Sequence, residues 1–94
     1  MTDFSKLFAR LQRAEITTRA NVIDELERRL NQIKRGTARA GQLTAARELA
    51  RAARAELAAV IRARGKDGFY DLDQAITDLT IAVTGAENGR RGTR

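Results

Sequence analysis

Without a histidine or a cysteine among its 94 residues, the chain would have to rest catalysis on carboxylates, lysines or a hard metal. Thiol nucleophiles, soft-metal sites, hydroxyl–imidazole relays and imidazole acid–base catalysis are excluded by that composition. What remains is a carboxylate pair acting as acid and base, or a hard cation held by converging acids, and either requires acids that meet on one face. Asp24, Glu25 and Glu27 are staggered among arginines, whereas Asp71, Asp73 and Asp78 spread around a short segment with no second set to oppose them. Neither group has the spacing of a calcium loop, and no glycine-rich loop follows a strand to cradle a phosphate. The expectation is therefore a non-enzyme, with no catalytic residue, metal site, cofactor or small-molecule substrate.

The other chemistry within reach is recognition of negative charge. Fifteen arginines and three lysines outnumber twelve acids, giving a net charge of +6. Arg47, Arg51, Arg54 and Arg62 fall within about 80° of one another at helical spacing. Lys34, Arg35 and Arg39 lie just upstream and extend the patch. Such a stripe suits a phosphate backbone or an acidic protein surface, and it equally suits arginine stems lying over apolar helix surface with their heads in water. Sequence-specific DNA reading is disfavoured. The segment after Gly65–Gly68 is acidic, and Phe4, Phe8, Phe69 and Tyr70 are not interleaved with bases as a stacking platform requires. Charge is also unevenly placed, since residues 69–87 carry four acids and no base. That acidic segment, in a neighbouring copy, is one candidate partner for the basic stripe.

The elements that must carry these groups are all helical. Phe4, Leu7, Phe8, Leu11 and Ala14 recur at three- and four-residue spacing, predicting a first helix capped by Thr2 or Asp3. The apolar stripe then slips across residues 16–20, where a kink or break is expected before Val22, Ile23, Leu26, Leu30 and Ile33 resume a clean face. This second stretch is expected to end at Arg35 with Gly36 as its cap, and Asp24–Arg28 and Glu25–Arg29 read as solvated i,i+4 pairs. Residues 36–41 read as a turn. A long alanine-rich helix follows from Leu43 or Thr44 to Arg64, burying Leu43, Ala46, Leu49, Ala50, Ala53, Leu57, Val60 and Ile61. After a turn at 65–68, Asp71 with Gln74 resembles a capping box with Tyr70 as staple, and the last helix is expected to stop at Gly85. Ile81 falls opposite that helix's core face.

The predicted fold is thus all-α, a small bundle of three to four helices built on an antiparallel helical hairpin formed by about 21–35 and 43–64. Residues 1–85 are expected to form a single domain and 86–94 a disordered basic tail. The core is thin, because seventeen alanines stand against nine leucines, six isoleucines, three valines and three phenylalanines. A thin core gains stability from self-association or from a partner. With no run of apolar residues long enough for a membrane span, and no basic stretch leading into an apolar one near Met1, a soluble cytoplasmic protein is expected. The leading reading is a non-catalytic helical interaction protein, an assembly or adaptor component binding a protein partner or itself through Phe4, Leu7, Phe8, Leu11 and Ile81. The alternatives are a nonspecific nucleic-acid-binding protein using the arginine stripe, or a small inhibitor of a nucleic-acid-handling complex.

Overall fold

A computed structural model describes residues 2–33, 39–63 and 68–88, with backbone only at 2–5, 7, 8 and 40. Three helices account for nearly all of it: α1 (Thr2–Asn31), α2 (Ala40–Arg62) and α3 (Phe69–Glu87), with no strand among the described residues.

The expected break at residues 16–20 does not occur, and α1 is one helix of 30 residues. The reason is local. A slip in apolar phase changes which face is greasy, but nothing in Ile16–Ala20 removes a backbone donor, as proline would. Two side chains bond back one turn without displacing the backbone ladder, Thr18 Oγ1 donating to the Ala14 carbonyl at 2.9 Å and Arg19 Nη1 to that of Glu15 at 3.2 Å. At its other end α1 stops at Asn31 rather than Arg35, closing in a turn where Gln32 N and Ile33 N donate to the carbonyls of Arg28 and Leu30. The expected cap at Gly36 lies outside the described residues.

α2 begins three residues before Leu43, with Arg39 as N-cap and its backbone N–H donating to Gln42 Oε1 at 3.0 Å. Gly41, expected in the turn, is an exposed first-turn residue with open space around it, where the absence of a side chain costs little. α3 likewise starts before its expected cap. Gly68 takes the N-cap position at φ 92°, and its carbonyl accepts from Leu72 N at 2.9 Å. A Cβ on Gly68 would stand 3.1 Å from Val60 Cγ2, so the chain passes close against α2 here, in a conformation that favours glycine. Asp71 is therefore a first-turn acid rather than a cap, and Tyr70 is 81% exposed rather than stapled. The expected stop at Gly85 is also corrected. α3 continues to Glu87 because Ala86 is fully buried and Glu87 pairs with Arg29. The remainder of the expected tail, 89–94, lies outside the described residues.

Ion pairs give the helix directions. Arg19 meets Asp73 and Arg29 meets Glu87, so α1 and α3 run in the same sense. Asp24 and Glu27 meet Arg54 while Asn31 lies beside Arg47, so α2 runs against α1. The widest interface is between α2 and α3, and α1 touches each of them less. The centre of the core is Ile23, Leu26 and Leu30 from α1, Ala46, Ala50, Ala53, Leu57 and Val60 from α2, and Leu72, Leu79 and Val83 from α3. Three of the five α2 residues are alanines, which lets the helices approach while burying little area. Leu43 and Leu49 are half-buried as their arc implies, but Ile61 at its edge is 53% exposed.

The molecule is long for its size. It measures 59 × 19 × 16 Å with a radius of gyration of 16.1 Å, against about 12 Å for a compact chain of this length. α1 causes the difference. No described side chain before Ile16 is buried, and residues 2–15 carry the helix on for about 21 Å.

Candidate functional site

The first candidate surface is this overhang of α1. By helical register Phe4, Leu7, Phe8 and Leu11 share one face, while Ile16, Ala20, Ile23, Leu26 and Leu30 face the core. At 100° per residue the two stripes differ by roughly 100°, so the arm's apolar face does not continue the core face but turns away from it. Leu11 is 56% exposed, and Val22, on the same line further along α1, is exposed as well. The side chains of Phe4, Leu7 and Phe8 lie outside the described residues. The opposite side of the arm carries Lys6, Arg10 and Arg13, exposed and paired with no carboxylate among the described residues.

Where the arm leaves the bundle, a shallow groove of about 550 Å³ is lined by Ala9, Gln12, Arg13, Ile16, Thr17 and Ile61. Just above it Arg19 fastens α1 to the start of α3. Its Nε and Nη2 donate to Asp73 Oδ1 and Oδ2 at 2.6 and 3.0 Å, and its guanidinium lies 4.5 Å from the centroid of the Phe69 ring. The paired hydrogen bonds hold the Asp73 carboxyl below, and the Arg19 guanidinium above, their ordinary pKa ranges. This clamp was invisible in the pattern of residues 16–20. The only sequence signal was a long cation on an otherwise apolar line.

The second candidate is the arginine stripe. Arg47, Arg51 and Arg54 do converge, lining a groove with Glu27, Leu30, Asn31 and Ala50. Arg54 is occupied: it donates to Glu27 Oε2 from Nε at 3.2 Å and to Asp24 from Nη2. Hydrogen bonds to Glu27 first and Asp24 second raise its pKa further above the ordinary arginine value. Arg47 and Arg51 are exposed with no carboxylate partner among the described residues, and Arg62 is exposed at the end of α2, away from this groove. Arg39 caps α2, and Lys34 and Arg35 lie outside the described residues.

The pairs expected to stay within α1 are reassigned. Arg28 bonds Glu25, holding its carboxyl below the usual range, while Arg29 reaches Glu87 and Asp24 reaches Arg54. Of the face read as solvated, Asp24 and Arg29 pair across helices, while Glu25 and Arg28 stay exposed and pair within α1. On α3, Ile81 is 66% exposed and shares the outer face with Tyr70, Gln74, Thr77 and Thr84, all exposed. Among the described residues no group of three acids is placed to hold a metal ion, and no helix is long and apolar enough to cross a membrane. Comparison with protein families, curated proteins and solved structures returns no match.

Proposed function

We propose that the chain is a non-catalytic helical interaction protein, an assembly or adaptor component whose three-helix body presents the N-terminal arm of α1 to a protein partner, to another copy, or to both. The observation that carries this reading is the turn of the apolar stripe away from the core along an unbroken helix. A stripe of Phe4, Leu7, Phe8 and Leu11 placed on a projecting helix is the ligand half of a helix-in-groove contact. The alanine-poor arm and alanine-rich core also divide the chain's large apolar residues unevenly, leaving the body with little to gain from the arm. In this reading the antiparallel α1–α2 hairpin acts as the stalk of the arm, stiffened by the Arg54–Asp24–Glu27 seam.

The test is the double substitution Leu7→Glu with Leu11→Glu. Light scattering and pull-down from the native cell should show that partner or self-association is lost while far-UV circular dichroism keeps the helix signal of α2 and α3. Association that survives the double substitution refutes the arm. A nucleic-acid role rests on less, because Arg54 is held by two acids and only Arg47 and Arg51 of the stripe remain together.

A further inference from the structure

Arg47 and Arg51 alone make a short patch, but the basic side of the arm continues it. Arg54 reaches Asp24 and Glu27, and Arg47 and Arg51 share a groove with Asn31, so the line of α1 through Asp24 and Asn31 is the one that borders α2. Lys6 stands eighteen residues before Asp24, and Arg13 eighteen before Asn31. Because α1 is one unbroken helix, that separation is about five whole turns and returns each cation to the same line, with Arg10 about 50° to its outer side. Where the arm leaves the bundle, Arg13 lines a groove with Ile61, and the exposed Arg62 follows on the same side of α2 as Arg51, about three turns away. Lys6, Arg10, Arg13, Arg62, Arg51 and Arg47 therefore border the α1–α2 seam on one long face, over about 38 Å of the α1 axis from Lys6 to the level of Asn31.

The acids along this seam are already engaged, since Asp24 and Glu27 both accept from Arg54, and the exposed Glu48 lies further round α2 on the side away from α1. The unpaired acids of α3 are turned away as well. Asp73 and Glu87 meet α1, and by register Asp71 and Asp78 lie on the opposite side of α3. The face also lacks an apolar centre. By register Leu11 and Val22 are on the far side of α1, Tyr70 and Ile81 are on α3, and of the exposed large apolar residues described only Ile61 touches this face. A protein contact is centred on desolvated aromatic and aliphatic anchors, with charge depleted there. A row of unpaired cations with polar residues between them suits repeated phosphates instead. Single-stranded nucleic acid needs aromatic rings on which its bases stack, and no aromatic side chain is described on this face; a duplex presents its phosphates on the outside of a stiff rod.

We propose that the α1–α2 face binds the phosphate backbone of duplex nucleic acid without reading its sequence. Lys6, Arg10, Arg13 and Arg62 hold one stretch of backbone and Arg47 and Arg51 another, with the Arg54–Asp24–Glu27 seam between them. The contact uses the side of α1 opposite the apolar stripe. It therefore stands apart from the protein contact proposed above, and either can fail alone.

The probe is a fluorescein-labelled DNA duplex of random sequence, long enough to span the face, with binding read by anisotropy from low salt upward. Six phosphate contacts give a slope of log affinity against log salt of about −5. Lys6→Gln with Arg10→Gln and Arg13→Gln should flatten that slope by about 3, and Arg47→Gln with Arg51→Gln by about 2, each weakening binding at least about tenfold at low salt. A third variant, Gln74→Glu with Thr77→Glu and Thr84→Glu, lowers the net charge as much as the first does, but at exposed positions of α3, and should bind within about threefold of the unaltered chain. Circular dichroism and urea midpoints matching those of the unaltered chain establish that each variant is folded. No anisotropy change at low salt overturns the proposal, as does an α3 variant that loses as much affinity as the arm variant, since net charge and not this face is then responsible. Retention of the chain on polyglutamate without binding to the duplex overturns it equally and assigns the cations to an acidic protein surface.

Discussion

If the arm is independent of the bundle, two substitutions on the same helix must differ sharply in their cost to stability. Ile23 is fully buried in a core to which α2 contributes mainly alanines, which have no side-chain length with which to fill a void. Truncating it to alanine should fall in the middle or upper part of the range for buried isoleucine, about 3–4 kcal/mol. At roughly 4–8 °C per kcal/mol for a domain of this size, that lowers the melting temperature by more than about 10 °C. Leu11 is 56% exposed and lies on the arm beyond the last core contact of α1. Replacing it with glutamine exchanges one good helix former for another, so the expected change is within about 0.5 kcal/mol. The assay is urea and thermal unfolding followed by far-UV circular dichroism, at a concentration low enough that association does not contribute. A loss above about 1 kcal/mol for Leu11→Gln would refute the reasoning, since it would mean that the arm packs on the body.

Two further outcomes follow from local geometry. Gly68→Ala should destabilise by about 1–2 kcal/mol, because it forces a side chain into the left-handed region against Val60, whereas Gly85→Ala, in open space inside α3, should stabilise by about 0.5–1 kcal/mol; urea midpoints moving in the same direction would contradict the assigned α3 boundaries. Acid should weaken the fold through Asp73 and Glu87, whose pKa values are lowered by Arg19 and Arg29: the unfolded chain binds more protons, so their contribution is present above the ordinary carboxylate range and disappears as pH falls through the folded values. Both pairs are partly exposed, so each is worth under about 1 kcal/mol, and Asp73→Asn should flatten part of the slope of urea midpoint against pH between about 5 and 3.

The all-α class and the helices α2 and α3 were legible because each rests on apolar periodicity, which one sequence contains in full, whereas α1 read as two stretches because its periodicity changes phase. The ends were less legible. Gly41 and Asp71 carry strong local signals, for a turn and for a cap, yet an exposed first-turn glycine is tolerated and α3 starts from Gly68 in the left-handed region, three residues before Asp71. Ion pairing was the least legible part. Arg29 has Glu25 one turn away but takes Glu87, 58 positions distant, and Asp24 takes Arg54 instead of Arg28. Spacing along a helix states which pairs are within reach, and it carries nothing about a third helix arriving with an acid of its own. The same gap explains the stripe on α2: four arginines at helical spacing are visible, but the two acids of α1 that engage one of them are not.

The apolar slip at residues 16–20 shows how one sequence feature supports two structural meanings. Read as a defect, it predicts a break, because a helix serving one core keeps its apolar residues in phase. A helix can also change phase without losing a hydrogen bond, and then each phase must have its own reason. The C-terminal phase of α1 has one in Ile23, Leu26 and Leu30, which fill the space against α2 and α3. The N-terminal phase has none within the described structure, yet it spends two of the chain's three phenylalanines in a protein whose core has to rely on alanine. In the interaction reading proposed above, that phase has a reason of its own: an apolar stripe set off the core face by register contributes to free energy when a partner covers it.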